Sequence, residues 1–444
     1  GPMTAPTAIS PQRRREILDA LRRGTVPSQG LDAFAVGLDR FTSAIEAEFD
    51  AVAAGQGAFK AVRGEYGCGK TFFARWLQEH AKRRGFATAE VQISETETPL
   101  HHLETVYRRL VERLATADHR QGAFRSVIDG WFYGLEEIVL TEGNVAPNDG
   151  PGLVAATNAL MEKKLAEVSR VAPAFAACLR AYREAIATGQ NEVADGLVAW
   201  LTGQPHVSAS VKRAAGVKGE VDHFAALGFL QGLLVILRDA GYCGLVLVLD
   251  EVETLQRVRA DARDKALNAL RQLIDEVDGG RFPGLYVLVT GTTAFFEGPQ
   301  GIQRLPPLAQ RLHVEFLPEV RFDNPRAPQI RLPAFDMTRL IAVGSRVRDL
   351  YAQDAHAGDR VRALADDALV QRLADGVAGK LGGKVGVAPR LFLKKLVGEV
   401  LDRVDQFEDF DPARDYHLTV AESEMAGAER RAAQGVDDIV LDDI

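Results

Sequence analysis

Positions 64–71 read Gly-Glu-Tyr-Gly-Cys-Gly-Lys-Thr, the pattern Gly-x-x-x-x-Gly-Lys-Thr with which a chain wraps the phosphates of a nucleotide. Backbone N–H groups must approach the phosphates closely, and glycine lets the chain turn that tightly without a Cβ in the way. Gly64, Gly67 and Gly69 supply this freedom. Glu65, Tyr66 and Cys68 fill the variable positions, and Phe72 follows the motif. Lys70 is expected to place its ammonium on the β/γ-phosphates, and Thr71 to offer its hydroxyl to Mg²⁺.

A second constellation lies at Asp250 and Glu251, which end the apolar run 245–249. Two carboxylates closing a buried strand are costly unless they face a cation or a wet cleft. They suit the magnesium site of the first motif. Asp250 would hold Mg²⁺ through its shell, and Glu251 would polarise the water that attacks a γ-phosphate. A strand end meeting a solvated acidic turn is the plain alternative.

Other polar residues can serve the same water or the same phosphate. The strand ending Val-Thr-Gly-Thr-Thr at 289–293 presents hydroxyls, and Thr292 is chosen as its polar sensor, with a turn that bonds its own backbone as the competing explanation. Arg311 stands where an arginine finger of a neighbouring subunit would be expected, with Arg304 as competitor and a surface ion pair as the ordinary role of either. Arg390 opens a helix behind Pro389, so its guanidinium has a set direction and can bring a lid onto the nucleotide.

These groups need elements to hold them. Residues 58–63 read as a strand running into the glycine loop, and 71–84 as the helix leaving it, with Phe73, Trp76, Leu77 and Ala81 at helical spacing and Gly85 at the stop. The pattern also predicts a helix from Pro11 to Arg23, a second after Gly37 and a strand over 89–93. The runs 245–249 and 285–290 read as buried parallel strands, separated by a helix over 261–277. The fold class is therefore α/β, a parallel sheet flanked by helices. Residues 3–94 form the N-terminal segment and first part of this nucleotide-binding domain, and 241–332 its second part. Between them, 95–240 is too long for a loop and reads as a helical insertion. Residues 333–406 read as a helical lid and 407–444 as an acidic tail.

Bulk composition sets outer limits. A chain of 444 residues is long enough for two or three domains or subdomains. Its net charge of −8 gives no global attraction to nucleic acid or anionic lipid. The basic runs at 13–15, 22–23 and 82–84 are the local exceptions, and on helices such runs are usually solvated faces. Three scattered cysteines, Cys68, Cys178 and Cys243, suggest neither a disulfide framework nor a zinc site. Gly1-Pro2 before Met3 reads as a protease scar, and no apolar run approaches membrane-spanning length. A cytoplasmic protein without membrane contact is expected.

Taken together, the two acidic and phosphate motifs, the threonine-rich strand, Arg311 and Arg390 resemble the AAA+ ATPases of the initiator and origin-recognition-like branch. Stretches at 24–37, 216–222, 241–244, 321–325 and 386–390 carry a closer similarity to the ATP-binding proteins of BREX phage-defence systems. The resemblance spans nearly the whole chain. It implies ATP and Mg²⁺ as cofactors, a homo-oligomer, and a helicase or other defence proteins as partners, with DNA a possible further ligand. It also implies that Val26, Pro27 and Val36 touch the adenine. Initiators of this branch carry a winged-helix domain after the lid. About 40 residues follow 404 here, fewer than a small domain needs, so DNA contact is expected from the insertion or the basic runs instead.

An ATP-hydrolysing subunit is thus the leading expectation. A nucleotide-gated scaffold with little turnover, presenting the insertion to partners, is the alternative from another class. A small-metabolite kinase fits less well, because the lid carries one arginine rather than a phosphate-binding cluster.

Overall fold

The computed structural model describes residues 9–25, 37–65, 69–333 and 336–434. Five parallel strands form its centre: β1 (Ala58–Arg63), β2 (Ala87–Gln92), β3 (Leu245–Asp250), β4 (Leu285–Gly291) and the short β5 (Gln329–Arg331). Their spatial order is β2-β3-β4-β1-β5. The α/β class read from the sequence therefore holds. Register is even across the sheet: Arg63 lies opposite Gly291, Leu249 opposite Val289 and Gln92 opposite Asp250. All the strands that carry expected chemistry consequently end along one edge. In an open parallel sheet, the crevice beyond that carboxyl edge is where ligands bind.

Strand alternation builds a layer on each face. In β3, Val246 and Val248 point into one apolar cluster and Leu245, Leu247 and Leu249 into the other. In β4, Tyr286 and Leu288 face the first layer and Val287 and Val289 the second.

The first layer contains α1 (Pro11–Arg22), α2 (Asp39–Ala53) and α3 (Lys70–Arg83). Helix α1 starts where Ser10 accepts a hydrogen bond from the Arg13 amide and Pro11 occupies the first turn. Helix α3 leaves the glycine loop through Gly69 at φ +96°, a conformation that glycine adopts without steric penalty. His80, Lys82 and Arg83 fill its last turn and complement the helix dipole.

Helices α4 (Leu103–Glu112), α5 (Phe124–Thr141), α6 (Gly150–Val171), α7 (Pro173–Ala187), α8 (Asn191–Leu201), α9 (Ala209–Ala215) and α10 (His223–Asp239) occupy the stretch between β2 and β3. Their apolar faces are continuous with the second layer, so Trp131 and Trp200 are core residues. Both indoles find acceptors, Trp131 at Asp239 (2.6 Å) and Trp200 at the Gly219 carbonyl (3.1 Å). Helix α11 (Ala260–Asp278) completes this face, and α12 (Thr293–Glu297) and α13 (Pro306–Leu312) follow β4.

The remaining helices pack against the first layer: α14 (Met337–Asp354), α15 (Gly358–Leu364), α16 (Asp367–Lys380), α17 (Pro389–Lys395) and α18 (Asp402–Gln406), the last two joined by a π-helical turn over Leu396–Leu401. A strap then returns across them with the short α19 (Pro412–Asp415) and α20 (Gly427–Gln434). The buried Ala432 of α20 belongs to the same apolar cluster as α16 and α17. The acidic positions 436–444 lie outside the described residues.

Candidate functional site

At the edge of β1 the chain turns out of the sheet with the Gly64 amide donating to the Gly291 carbonyl (3.1 Å). Lys70, the first residue of α3, folds back so that Nζ donates to the carbonyl oxygens of Gly64 (2.5 Å) and Glu65 (3.2 Å). The ammonium therefore lies inside the turn of the loop. Tyr66, Gly67 and Cys68 lie outside the described residues, as do Val26, Pro27 and Val36. Phe72 packs, partly buried, against the apolar layer shared with the lid.

Across β4, the end of β3 brings Asp250 to the same place. Its Oδ2 is 3.5 Å from the Thr71 hydroxyl, although the two residues are far apart in sequence. Asp250 is only 6% exposed, and burial pushes its carboxyl above the ordinary range. A hydroxyl and a buried carboxylate oxygen this close fit Mg²⁺. That ion binds through one or two protein oxygens and keeps several waters.

Glu251 sits at φ +61° and ψ +48°, in the left-handed region that non-glycine residues seldom occupy. Such a backbone costs on the order of 1–3 kcal/mol and persists only where neighbours enforce it. Two neighbours do so here. The Glu251 amide donates to Thr290 Oγ1 (3.0 Å), and that hydroxyl in turn donates to Asp250 Oδ1. The Glu251 carboxylate turns towards β2, where Gln92 Nε2 donates to Oε2 (2.9 Å). The positive φ thus swings the second carboxylate out of the strand direction while the first stays in it.

A third carboxylate, Glu253, begins the turn after Glu251. Burial raises its proton affinity, partly offset by its own backbone and by the charge of Lys70. Its Oε2 is buried and has no hydrogen-bond partner among the described residues.

The remaining sequence-chosen residues are held as follows. The Thr292 hydroxyl accepts from the Phe295 amide (3.4 Å) and caps α12, whereas Thr290, two residues earlier and still within β4, touches both acidic residues. Arg311, nearly half exposed, forks between Asp275 (2.6 Å) and Asp278 (3.0 Å) of α11. Arg304 lies 3.5 Å from Asp264. Arg390 grips Glu429 through Nε (3.0 Å) and Nη2 (2.6 Å), and Nη2 also donates to the Glu424 carbonyl (2.5 Å).

Gln92, Thr290 and Glu253 were not singled out by sequence reasoning. Nothing local marks Gln92, which acts through a neighbouring strand whose order a linear reading lacks, and within the hydroxyl-bearing run 289–293 only that order favours Thr290 over Thr292. Glu253 had a signal, a further acid three positions after Asp250.

A phosphate-type loop lies beside the buried Asp250 and the partly exposed Glu251, and the family comparison points to a nucleotide ligand. The model of the BREX system ATP-binding protein BrxC/D family matches residues 9–420. The chain belongs to that family. Among curated proteins none matches the chain. Membership in BrxC/D makes ATP the ligand class of the chain and phage defence its setting. The match runs through the helices between β2 and β3 and those after β5 as well as through the sheet, and stops within the strap. No helix among the described residues is long and apolar enough to cross a membrane.

Proposed function

We propose that the protein is an Mg²⁺-dependent ATP hydrolase of the AAA+ initiator-like branch, the BrxD type of its family. In this reading it assembles with itself and works beside DNA-processing partners, such as a helicase, in BREX defence. The observation that carries the reading is the left-handed turn at Glu251. A site needed only for binding has no use for a second carboxylate held in a costly conformation, whereas hydrolysis needs a base aimed at water rather than at the metal.

Each residue then has a task. The loop amides and Lys70 bind the phosphates, and Lys70 exchanges the carbonyls of Gly64 and Glu65 for phosphate oxygens. Thr71 and Asp250 would hold Mg²⁺, which supplies charge neutralisation to the phosphates when bound. Glu251 takes the proton of the attacking water, and Thr290 keeps its backbone turned for that purpose. Thr292, Arg311 or Arg304, and Arg390 are assigned respectively to polar sensing, to a finger reaching a neighbouring site, and to the lid. Val26, Pro27 and Val36 are assigned to the adenine.

Glu251→Gln tests this assignment. Binding of ATP should persist while turnover falls by about 10²-fold or more. Turnover equal to wild type in a folded Glu251→Gln protein removes the mechanism.

A second reading, the nucleotide-gated scaffold, draws support from two contacts that hold catalytic groups back: Gln92 on Glu251 and Glu429 on Arg390. It predicts ATP-dependent capture of defence partners that survives Glu251→Gln. Loss of capture in that variant, with ATP still bound, counts against it.

A further inference from the structure

We propose that the strap over residues 412–434 is a latch that holds the lid arginine Arg390 on Glu429, and that ATP turnover requires the latch to open. This inference rests on the ATPase reading and concerns the regulation of that same site.

The contact has the form of a competitor. A guanidinium recognises a carboxylate and a phosphate through the same planar fork of N–H donors. Glu429 takes that fork in two-point fashion, through Nε (3.0 Å) and Nη2 (2.6 Å), and the Glu424 carbonyl takes Nη2 again at 2.5 Å. A phosphate cannot use those donors until Glu429 and the carbonyl have released them.

Glu429 is built for the role. It is fully buried, and its Oε1 also accepts from the Ala426 amide (2.8 Å), which pins the carboxylate to its own turn. Stripping a buried carboxylate of its cation is far more costly than the pair itself is stabilising. Arg390 therefore does not leave alone. The strap has to move with it, or exchange Glu429 for another setting.

A second ion pair makes the strap a unit. Lys395, five positions along the same lid helix, is 2% exposed and donates to both oxygens of Glu424 (2.8 and 3.0 Å). Glu424 Oε2 is fixed in turn by the Ala421 amide (2.9 Å). Two strap carboxylates thus hold two cations of α17, beside the apolar contacts that Tyr416, Leu418, Val420, Met425 and Ala432 make with the cluster of α14–α18. Ion pairs of this kind add little net stability compared with apolar packing. They are, however, easily traded for other charged partners, as a latch must be.

Position fits as well. Arg390 packs beside Gly24, where a Cβ would come within 2.7 Å of Nη1. Gly24, two residues past the end of α1, lies two positions before Val26, the first residue assigned to the adenine. Arg390 is therefore stored beside the residue that precedes the segment assigned to the adenine.

The test uses the full chain, a fluorescent ATP analogue with Mg²⁺, and steady-state ATPase rates. Glu429→Gln is expected to tighten analogue binding and raise turnover by about 5-fold or more, the range of ordinary allosteric couplings. Glu424→Gln, which takes the strap's carboxylate from Lys395 while Glu399 still pairs with it (2.8 Å) and leaves the Glu429 carboxylate intact, is expected to move both readouts in the same direction. It also serves if Glu429→Gln does not fold. Adding Arg390→Ala to either variant should abolish the gain, an outcome that a purely structural strap would not produce. The latch is overturned if folded Glu429→Gln and Glu424→Gln match wild type, or if their gain survives Arg390→Ala. Lys70→Ala separates the two levels. Analogue binding that survives Lys70→Ala overturns the ATPase reading and the latch with it. Binding lost in Lys70→Ala beside unmoved strap variants overturns the latch alone.

Discussion

The Thr290 hydroxyl joins the two acidic residues of the site, donating to Asp250 Oδ1 and accepting from the Glu251 amide at 3.0 Å. One buried side chain on β4 therefore sets both the carboxylate assigned to the metal and the turn that aims the carboxylate assigned to water. Thr290→Val keeps the shape but removes both bonds. It leaves a buried amide and a buried carboxylate oxygen unmatched, at a cost of about 1–3 kcal/mol. ATP turnover should fall by about 10-fold or more, since a positioning error at a catalytic base is expensive. Thr290→Ser should retain most activity. Thermal melts and ATPase rates of the two variants decide it, and equal rates would exclude the role.

Thr292 is expected to behave differently. Its hydroxyl caps the short α12, so Thr292→Ala should cost about 1 kcal/mol, as cap removals do, and change turnover less than Thr290→Val. A larger loss of turnover at Thr292 than at Thr290 would return the sensor role to Thr292.

Gln92 holds Glu251 Oε2 at 2.9 Å from the neighbouring strand. Lone pairs used on an amide are not available to water. Gln92→Ala is therefore expected to raise basal turnover several-fold, on the order of one hydrogen bond to a charged group, with little change in KM. A fall in kcat would mean that Gln92 orients the base rather than restraining it.

The contrast among these residues shows what a linear reading can reach. The glycine loop and the Asp250–Glu251 pair are each contiguous, so their residue types and spacing already specify their chemistry. The buried strands and long helices are equally plain, because a short continuous apolar run and a helical apolar period over ten or more residues are both strong signals. Thr290 and Gln92 depend on the order β2-β3-β4, a tertiary property with no local signature. β5 escaped because three residues, Gln329–Arg331, are too few for a pattern. The pairing of Arg390 with Glu429 depends on a strap that folds back from 39 residues downstream.

Asp250 carries a cost that function explains. Burial raises its carboxyl above the ordinary range, outweighing the bond from Thr290. A folded-state value above the unfolded one means that the proton favours the native state. The contribution to stability is complete below the unfolded value and is lost as pH rises through the folded one. At neutral pH the ionised carboxylate is therefore a liability until a cation arrives. Asp250→Asn, which keeps an acceptor for Thr290, should raise the unfolding midpoint by about 1–3 °C at pH 7.5 without Mg²⁺. The advantage should vanish towards pH 4. Saturating ATP with Mg²⁺ should reverse the order, because wild type gains from ligand linkage and the variant gains little. Melting curves across pH, with and without Mg²⁺ and ATP, check all three parts.

Arg311 poses the question of assembly. Within one chain it is committed to Asp275 and Asp278, nearly half exposed, and such surface pairs are worth about 0–1 kcal/mol. Releasing it to a neighbouring subunit is correspondingly inexpensive. If it acts there, an Arg311→Ala protein has a complete nucleotide site but lacks the finger it would lend. A Lys70→Ala protein lacks the site but keeps the finger. Each should be nearly inactive alone, the arginine variant by about 10³-fold. Mixed in equal amounts, they should recover a substantial part of the wild-type rate, increasingly so at higher protein concentration. Arg304→Ala should complement in the same way only if Arg304 is the finger. Recovery by neither pairing, with both variants folded and the Arg311→Ala protein still active alone, would leave Arg311 as a surface ion pair and place the transition-state charge on groups within the subunit.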